Sequence, residues 1–428
     1  MIFRVSAAES NEKSGVFVRL RRTVYGTVTG GIPDRRASNA VVYITMCMLV
    51  LSALASASTC DCRYFWLVRN GLSSSGSVDS LLDVAANAGA NGLFVQVVGR
   101  GEAYYRSGIL PPAPRRENFD PLAYVIMKAH ARGMEVHAWI NAFLVWSDDV
   151  PPGNAAHVWH SHPEWFVMDR YGRSTRDYSR VECEAGGIVG ATLSPAIPEV
   201  REFVASIACE IARNYDVDGI HLDYIRYPGE YFGFEPAAVG VFRLRTGMDP
   251  RDVYRREGGT RRVRDAWASW KRECVTATVE AVRAALRSCA PGVMLSAAVM
   301  ADPTEAASRF SCDWISWLEY GLVDFVCPMA YTTNAARAVE LAETVTAAAP
   351  RRVVYGIGIF NQSLSSALVG ARRALAGGAG GVCVFSLNSF SRGDCDALKD
   401  FWGDGGIPVH PPDAAVYHKV SGNGGVAR

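Results

Sequence analysis

Several patterns that would assign a chemistry at once are missing from this chain. Its eleven cysteines include no C-x-x-C pair, so no structural zinc pattern is present. Its 44 basic and 43 acidic residues nearly cancel, leaving a net charge of +1 and no long basic run. That balance argues against nucleic acid or an anionic membrane surface as the main partner. No Gly-rich dinucleotide fingerprint follows the first apolar strand, which counts against an open doubly wound sheet. Cys327 and Cys383 lie inside apolar runs and read as small core residues.

What is present is apolar. The chain has 428 residues, 49% of them hydrophobic, enough for one large α/β domain or two smaller ones. The run 41–57, VVYITMCMLVLSALASA, follows Arg35 and Arg36 and ends in Ala55-Ser56-Ala57, the pattern of a secretory signal peptide. The run is short for a spanning helix, with an anchor as the alternative. Cys60, just after it, adds a second alternative, a lipid-modified cysteine. The expectation is an exported protein, periplasmic or membrane-anchored, with residues 1–59 as an N-terminal extension. In such a compartment an odd number of cysteines leaves at least one unpaired.

After residue 62 short apolar runs alternate with longer amphipathic ones. Strands are expected at 64–68, 92–98, 135–140, 219–223, 294–299, 325–328, 353–357 and 381–386. Helices fit between them at 78–88, 121–132, 198–215, 263–289, 313–320, 335–348 and 364–376. This rhythm predicts a closed (β/α)8 TIM barrel over 60–403 and a flexible Gly- and Pro-rich tail over 404–428. Two long insertions follow strands three and four, at 142–193 and 229–260. Both leave the barrel face where active sites sit, and their rings (Trp146, Trp159, Trp165, Tyr231, Phe232 and Phe234) are expected to stack on a ligand.

Strand ends are where chemistry is expected. Strand four reads Asp218-Gly-Ile-His-Leu-Asp223-Tyr-Ile-Arg-Tyr-Pro, so alternation turns His221 and Asp223 to one face. Polar groups inside a barrel must reach a partner or the cleft. Tyr224 and Arg226 keep polar groups at the mouth. Strand two adds Gln96, with Arg100, Glu102 and Tyr104 in the loop above it. Strand three adds His137, Trp139 and Asn141; strand five ends near Asp302, and strand six near Tyr331. A helix N-cap is the structural alternative for Asp302, and a hydrogen-bonded core histidine is the alternative for His137. A metal-dependent hydrolase built on His137, His221 and Asp223 is disfavoured because strand one lacks the H-x-H such barrels use; no metal or cofactor is expected.

Hydrolysis of a glycosidic bond takes two carboxyl groups, one acting as acid and one as nucleophile or base. Here they would be drawn from Asp223, Glu102 and Asp302, because strands seven and eight end in Asn361-Gln362 and Asn388-Ser389. Chitinase-type barrels carry D-x-x-D-x-D-x-E on strand four and M-x-Y on strand six. This chain matches at Asp218, Asp223 and Met329-Ala-Tyr331, but has His221 and Ile225 at the middle Asp and the acid Glu.

The ordered motifs resemble those of the glycosyl hydrolase-like 10 family, whose members include bacterial cell-wall glycan hydrolases. Arg63-Tyr-Phe-Trp-Leu-Val-Arg69 resembles its opening R-G-x-W-V strand, and Gln96 through Tyr105 its Q-V-R-G-x-D-A-Y-Y segment, with Glu102 for Asp and Val98 for Arg. Asp120-Pro-Leu, Ala129-His130 and Glu135-Val-His-Ala-Trp-Ile-Asn141 are similar to its D-P-L…A-H-x-x-G-x-E-x-H-A-W-x-N block. Leu193-Ser-Pro, Pro198-Glu-Val-Arg201, strand four and Asp324 through Tyr331 complete the series. Tyr224 stands where many relatives have a second Asp. The resemblance implies a barrel, export and a carbohydrate polymer as substrate, most plausibly peptidoglycan strands. In that role Asp223 is nucleophile or base, Glu102 or Asp302 the acid, and Gln96, Arg100, Tyr104, His137, Trp139, Asn141, His221, Tyr224, Arg226 and Tyr331 hold the sugar. A binding barrel that does not cleave is the alternative.

Overall fold

The computed structural model describes residues 61–114, 119–254 and 260–403. The apolar run 41–57, Cys60 and the tail from 404 lie outside them. Among the described residues no helix is long and apolar enough to cross a membrane.

Eight parallel strands close into a barrel: β1 Cys62–Leu67, β2 Gly92–Val98, β3 Glu135–Asn141, β4 Gly219–Asp223, β5 Met294–Met300, β6 Phe325–Met329, β7 Val354–Gly358 and β8 Gly381–Phe385. Each strand pairs with its neighbours in sequence, and β8 returns to β1 with Cys62 opposite Gly381 and Trp66 opposite Phe385. The expected eight-stranded barrel is therefore the observed fold, with strand ends differing by a residue or two. The strands are apolar throughout because a closed barrel wrapped in helices buries both faces.

Helices close the outside: α1 Ser75–Asn87, α2 Pro121–His130, α3 Pro198–Asn214, α4 Pro236–Thr246, α5 Thr260–Cys289, α6 Pro303–Arg309, α7 Trp314–Glu319, α8 Ala335–Ala348, α9 Leu364–Ala376 and α10 Cys395–Gly403. Their starts carry ordinary signals. Ser74 accepts from the Ser77 amide, and Asp120 accepts from Ala123 just ahead of Pro121. Five helices went unforeseen: Val158–Ser161 and Arg180–Gly186 in the first insertion, α4, which orders part of the second, and α6 and α10. A disulfide between Cys209 and Cys289 ties the ends of α3 and α5, a pairing the cysteine spacing did not reveal.

Two apolar cores follow from alternation. Outward residues such as Phe65, Val95, Ile220 and Leu222 pack under the helices. Inward residues, including Tyr64, Trp66, Phe94, Trp139, Cys327 and Cys383, fill the barrel. The rings inside need a small residue opposite. At Gly356 a Cβ would meet the Trp66 ring at 2.9 Å and the Pro328 carbonyl oxygen at 2.9 Å. Phe94 is fully buried and lies against the imidazole of His221, centroids 3.8 Å apart. Phe94→Ala should therefore lower the unfolding free energy by about 3–5 kcal/mol, read as a lower urea midpoint with unchanged slope. An unmoved midpoint would mean that the barrel is not packed around this ring.

Candidate active site

The inward residues of β3 and β4 form tiers. Each step along a strand rises about 3.3 Å, so residues two apart on one face belong to successive tiers. At the bottom, His137 is fully buried beside Glu135 and Tyr64, its Nε2 3.5 Å from Tyr64 Oη and 3.5 Å from Glu135 Oε2. Tyr64 Oη in turn donates to Glu135. In the middle, the Trp66 indole N–H donates to His221 Nε2 at 3.1 Å, and His221 Nδ1 lies 2.9 Å from Ser296 Oγ. An indole can only donate, so Nε2 accepts, and Nδ1 carries the proton given to Ser296. Burial, reinforced by the nearby His137, holds the His221 imidazole well below its usual pKa, so it is neutral. Both histidines were expected to hold substrate; the structure places them fully buried below the mouth, His221 with both ring nitrogens paired and His137 with its Nδ1 unpartnered among the described residues. Spacing gives the face of a strand but not the depth at which a side chain becomes accessible.

The top tier opens into a cleft of about 290 Å³. Trp66, Trp139, Tyr224, Tyr331, Phe360 and Phe385 supply its rings; Arg69, Gln96, Asn141 and Asp223 supply its polar groups. Gln96 Oε1 accepts from the Arg69 guanidinium at 3.2 Å, and Gln96 Nε2 donates to Asn141 Oδ1 at 3.3 Å. Asn141 also accepts from the Trp139 indole at 3.0 Å and donates to the Gly99 carbonyl at 2.8 Å. This chain of side-chain bonds fixes the amides before any ligand arrives.

Asp223 closes the floor and is 6% exposed. Its Oδ1 accepts from the backbone N–H of Tyr224 at 2.6 Å and lies 3.4 Å from Arg226 Nη1. Tyr224 holds a left-handed backbone, φ +49°, which is uncommon for a residue with a Cβ and folds its own amide back onto the carboxylate. Burial pushes the Asp223 carboxyl above its ordinary value, while Arg226, the Tyr224 amide and the Trp139 indole pull it down. A smaller pocket of about 60 Å³, lined by Leu144, Val189, Tyr224, Arg226 and Phe310 among others, adjoins the cleft across Tyr224.

The other two carboxylates differ. Glu102 is half-buried in the loop after β2; burial raises its pKa, against the pull of Arg100 and Arg69. Arg100 was expected to hold the sugar. Instead its Nη1 pairs with Asp148 at 3.1 Å and its guanidinium lies over the Trp146 ring. Tyr104 does not line the cleft; it hydrogen bonds to Arg69. Asp302 is the N-cap of α6, accepting from the amides of Thr304 at 2.9 Å and Glu305 at 3.1 Å, and its Oδ2 pairs with Arg337 at 2.8 Å. It is not among the residues of the cleft wall.

Sequence reasoning missed Arg69, Trp66, Phe360 and Phe385 as cleft residues. The only signal for Arg69 was a cation directly after an apolar strand. The insertion rings were expected to line the cleft and do not. Trp146, Trp159 and Phe232 are buried in the main core under the helices, and Phe234 packs with Phe242, Trp267 and Trp270 of α4 and α5. Among the described residues no cluster of three metal-ligating side chains occurs.

Arg337 and then the two amides hold the Asp302 carboxyl below the usual carboxylate range. A lowered folded pKa gives stability that is full above the unfolded value and is lost as pH falls through the folded one. Asp302→Ala should cost about 1 kcal/mol of stability at pH 7. That difference should fade below about pH 4. Asp302→Asn, which keeps a capping side chain, should cost less. Equal losses for Ala and Asn in thermal melts would contradict the capping role.

Residues 59–372 match the family model described as Glycosyl hydrolase-like 10. The chain is 28% identical over 284 residues to the glycosyl hydrolase DigH of Escherichia coli (strain K12), an alignment covering 58% of this chain and 56% of that protein. It is 24% identical over 280 residues to the glycosyl hydrolase YngK of Bacillus subtilis (strain 168), covering 59% and 48%. The chain thus spans about half the length of these curated relatives. Among solved structures, the glycoside hydrolase domain of PgaB (BpsB) from Bordetella bronchiseptica matches with a TM-score of 0.60 over 80% of this chain and 98% of that one, at 16% identity. That is a likeness of fold.

Proposed function

The chain belongs to the glycosyl hydrolase-like 10 family, and from that premise we propose that it hydrolyses glycosidic bonds in a polysaccharide, with N-acetylhexosamine-containing peptidoglycan strands as the substrate. The observation that carries the reading is a buried carboxylate, Asp223, on the floor of a cleft walled by aromatic rings and fixed amides. Rings stack on the apolar faces of sugars, and amides exchange hydrogen bonds with hydroxyl and acetamido groups. Trp66, Trp139, Tyr331 and Phe385 are the stacking surfaces in this reading, with Gln96, Asn141 and Tyr224 as polar contacts.

Asp223 is the nucleophile or base. Arg226 and the Tyr224 amide stabilise the charged form that either role needs, against burial, which raises its pKa. Glu102 is the acid, because burial favours its protonated form. Asp302 suits that role less, since its partners favour the anion. Export, by the signal-like run 41–57, belongs to the same proposal and brings the enzyme to an envelope polymer.

Asp223→Asn should lower kcat on purified glycan strands on the order of a thousandfold, with folding intact by circular dichroism. Undiminished release of reducing ends would remove Asp223 from the mechanism. The pH profile should be bell-shaped. Its acid limb reflects protonation of Asp223, at a higher pH than for an ordinary aspartate. Its alkaline limb reflects loss of the Glu102 proton. Glu102→Gln should abolish the alkaline limb and spare aryl glycosides, whose leaving groups need little protonation. If Glu102→Gln keeps the alkaline limb, the acid lies elsewhere.

One observation favours a second reading. Strand β4 supplies a single carboxylate, and neither Glu102 nor Asp302 is part of the cleft wall. A barrel that binds glycan without cleaving it would look like this. Retention of glycan strands on the immobilised protein with no new reducing ends would support that reading over the first.

A further inference from the structure

Among the described residues two of the charged groups around the cleft are paired, and the cation Arg69 is not. Asp223 is matched by Arg226, and Arg100 by Asp148. Arg69 lines the cleft, yet among the described residues no carboxylate lies within ion-pair distance of it. Glu102 is the carboxyl whose field reaches it, and in the proposed mechanism that group is protonated when the enzyme is ready to act. The resting cleft then carries one uncompensated positive charge.

Arg69 is also held in place. Its backbone N–H and its Nη1 both donate to Gln96 Oε1, at 3.3 and 3.2 Å, and Tyr104 hydrogen bonds to the same side chain. Its stem crosses Gly99 so closely that a Cβ there would lie 2.7 Å from Arg69 Cδ. A guanidinium has five N–H donors, and these contacts leave some of them free. A fixed, half-buried guanidinium with spare donors is suited to bind a carboxylate by charge-assisted hydrogen bonds, and little is lost in ordering it. Its neighbours explain its posture but not its charge; a neutral side chain would serve Gln96 as well, without the cost of burying a cation.

We propose that Arg69 binds a carboxylate carried by the sugar in the cleft, so that the substrate is an anionic glycan. The carboxylate is either that of a lactyl ether on an amino sugar or that of a uronic acid. The inference rests on the reading of the cleft as a glycan site but not on cleavage, so binding is the measurement.

Four probes suffice. The first is peptidoglycan strands stripped of their stem peptides, which expose lactyl carboxylates. The second is the same strands with those carboxylates coupled to methylamine. Hyaluronan fragments and their carboxyl-reduced counterparts test the uronate source. The wild-type protein should bind at least one free-acid glycan about tenfold or more tighter than its neutral form, the size expected of one charge-assisted contact. The preference should weaken with salt. The pair that discriminates names the source. In Arg69→Gln the ratio should fall towards one, and Arg69→Lys should retain part of it. A wild-type ratio near one for both pairs would overturn the proposal, as would a ratio that survives Arg69→Gln. Should the Gln variant fail to fold, the wild-type ratios and the Lys variant still decide. Discriminating binding with no reducing ends released would sink the hydrolase reading and leave this one standing. Cleavage of free-acid and neutral strands with equal affinity would do the reverse.

Discussion

A carboxylate withdrawn from water inside a barrel must be held by donors or give up its charge. Asp223 stands at that boundary. It is buried at the last position of β4, and burial alone would neutralise it. Three donors oppose this: the amide of Tyr224, the guanidinium of Arg226 and the indole of Trp139. Much of the surrounding architecture serves those donors. The left-handed turn at Tyr224 bends the chain so that the next amide points back at the carboxylate. Trp139 is fixed by Asn141, Asn141 by Gln96 and Gly99, and Gln96 by Arg69. A change at Arg69, in the turn after β1, is thus felt along a line of polar contacts before it reaches the carboxylate.

The barrel was legible because its physics is one-dimensional. Strands buried on both faces read as apolar runs, and a crossover needs a helix between each pair. The alternation that turned His221 and Asp223 inward was right for both. What alternation cannot supply is depth. His137 and His221 share their faces with Asn141 and Asp223, but each lies lower in the barrel, where a histidine needs partners rather than a ligand. Trp66 and Ser296 are those partners for His221, and neither sits near it in sequence.

The same limit explains the rings and Asp302. Insertion aromatics looked like sugar platforms because they follow strands at the active face. Long insertions, however, must be anchored on the core, and Trp146 and Trp159 of the first and Phe232 of the second serve that need. The rings that reach the cleft come from strand ends and the turns after them; Trp139, Tyr224 and Tyr331 were legible there, while Trp66, Phe360 and Phe385 were not. Asp302 precedes Pro303, a helix-start signature as much as a catalytic one; it caps the amides of Thr304 and Glu305 and pairs with Arg337.

The distribution of charge bears on how a single strand-four carboxylate can suffice. A second acid on the same strand would sit beside Asp223 and share its field, so one of the pair would be forced to stay protonated. Here Tyr224 occupies the next position and gives an amide instead of a carboxyl. Glu102, on the loop after β2, comes under the opposing influence of two arginines. Burial raises both carboxyls, and each is opposed by its own neighbours: Asp223 by Arg226 and the Tyr224 amide, Glu102 by Arg100 and Arg69. Because those neighbours are separate, the two carboxyls are free to take different protonation states, as the proposed acid and base must. The proposed division of roles also leaves Arg69 without a permanent partner, because the carboxyl nearest to it in effect is the one that must hold its proton. An arrangement that needs Glu102 neutral creates the positive charge that an anionic sugar would complete.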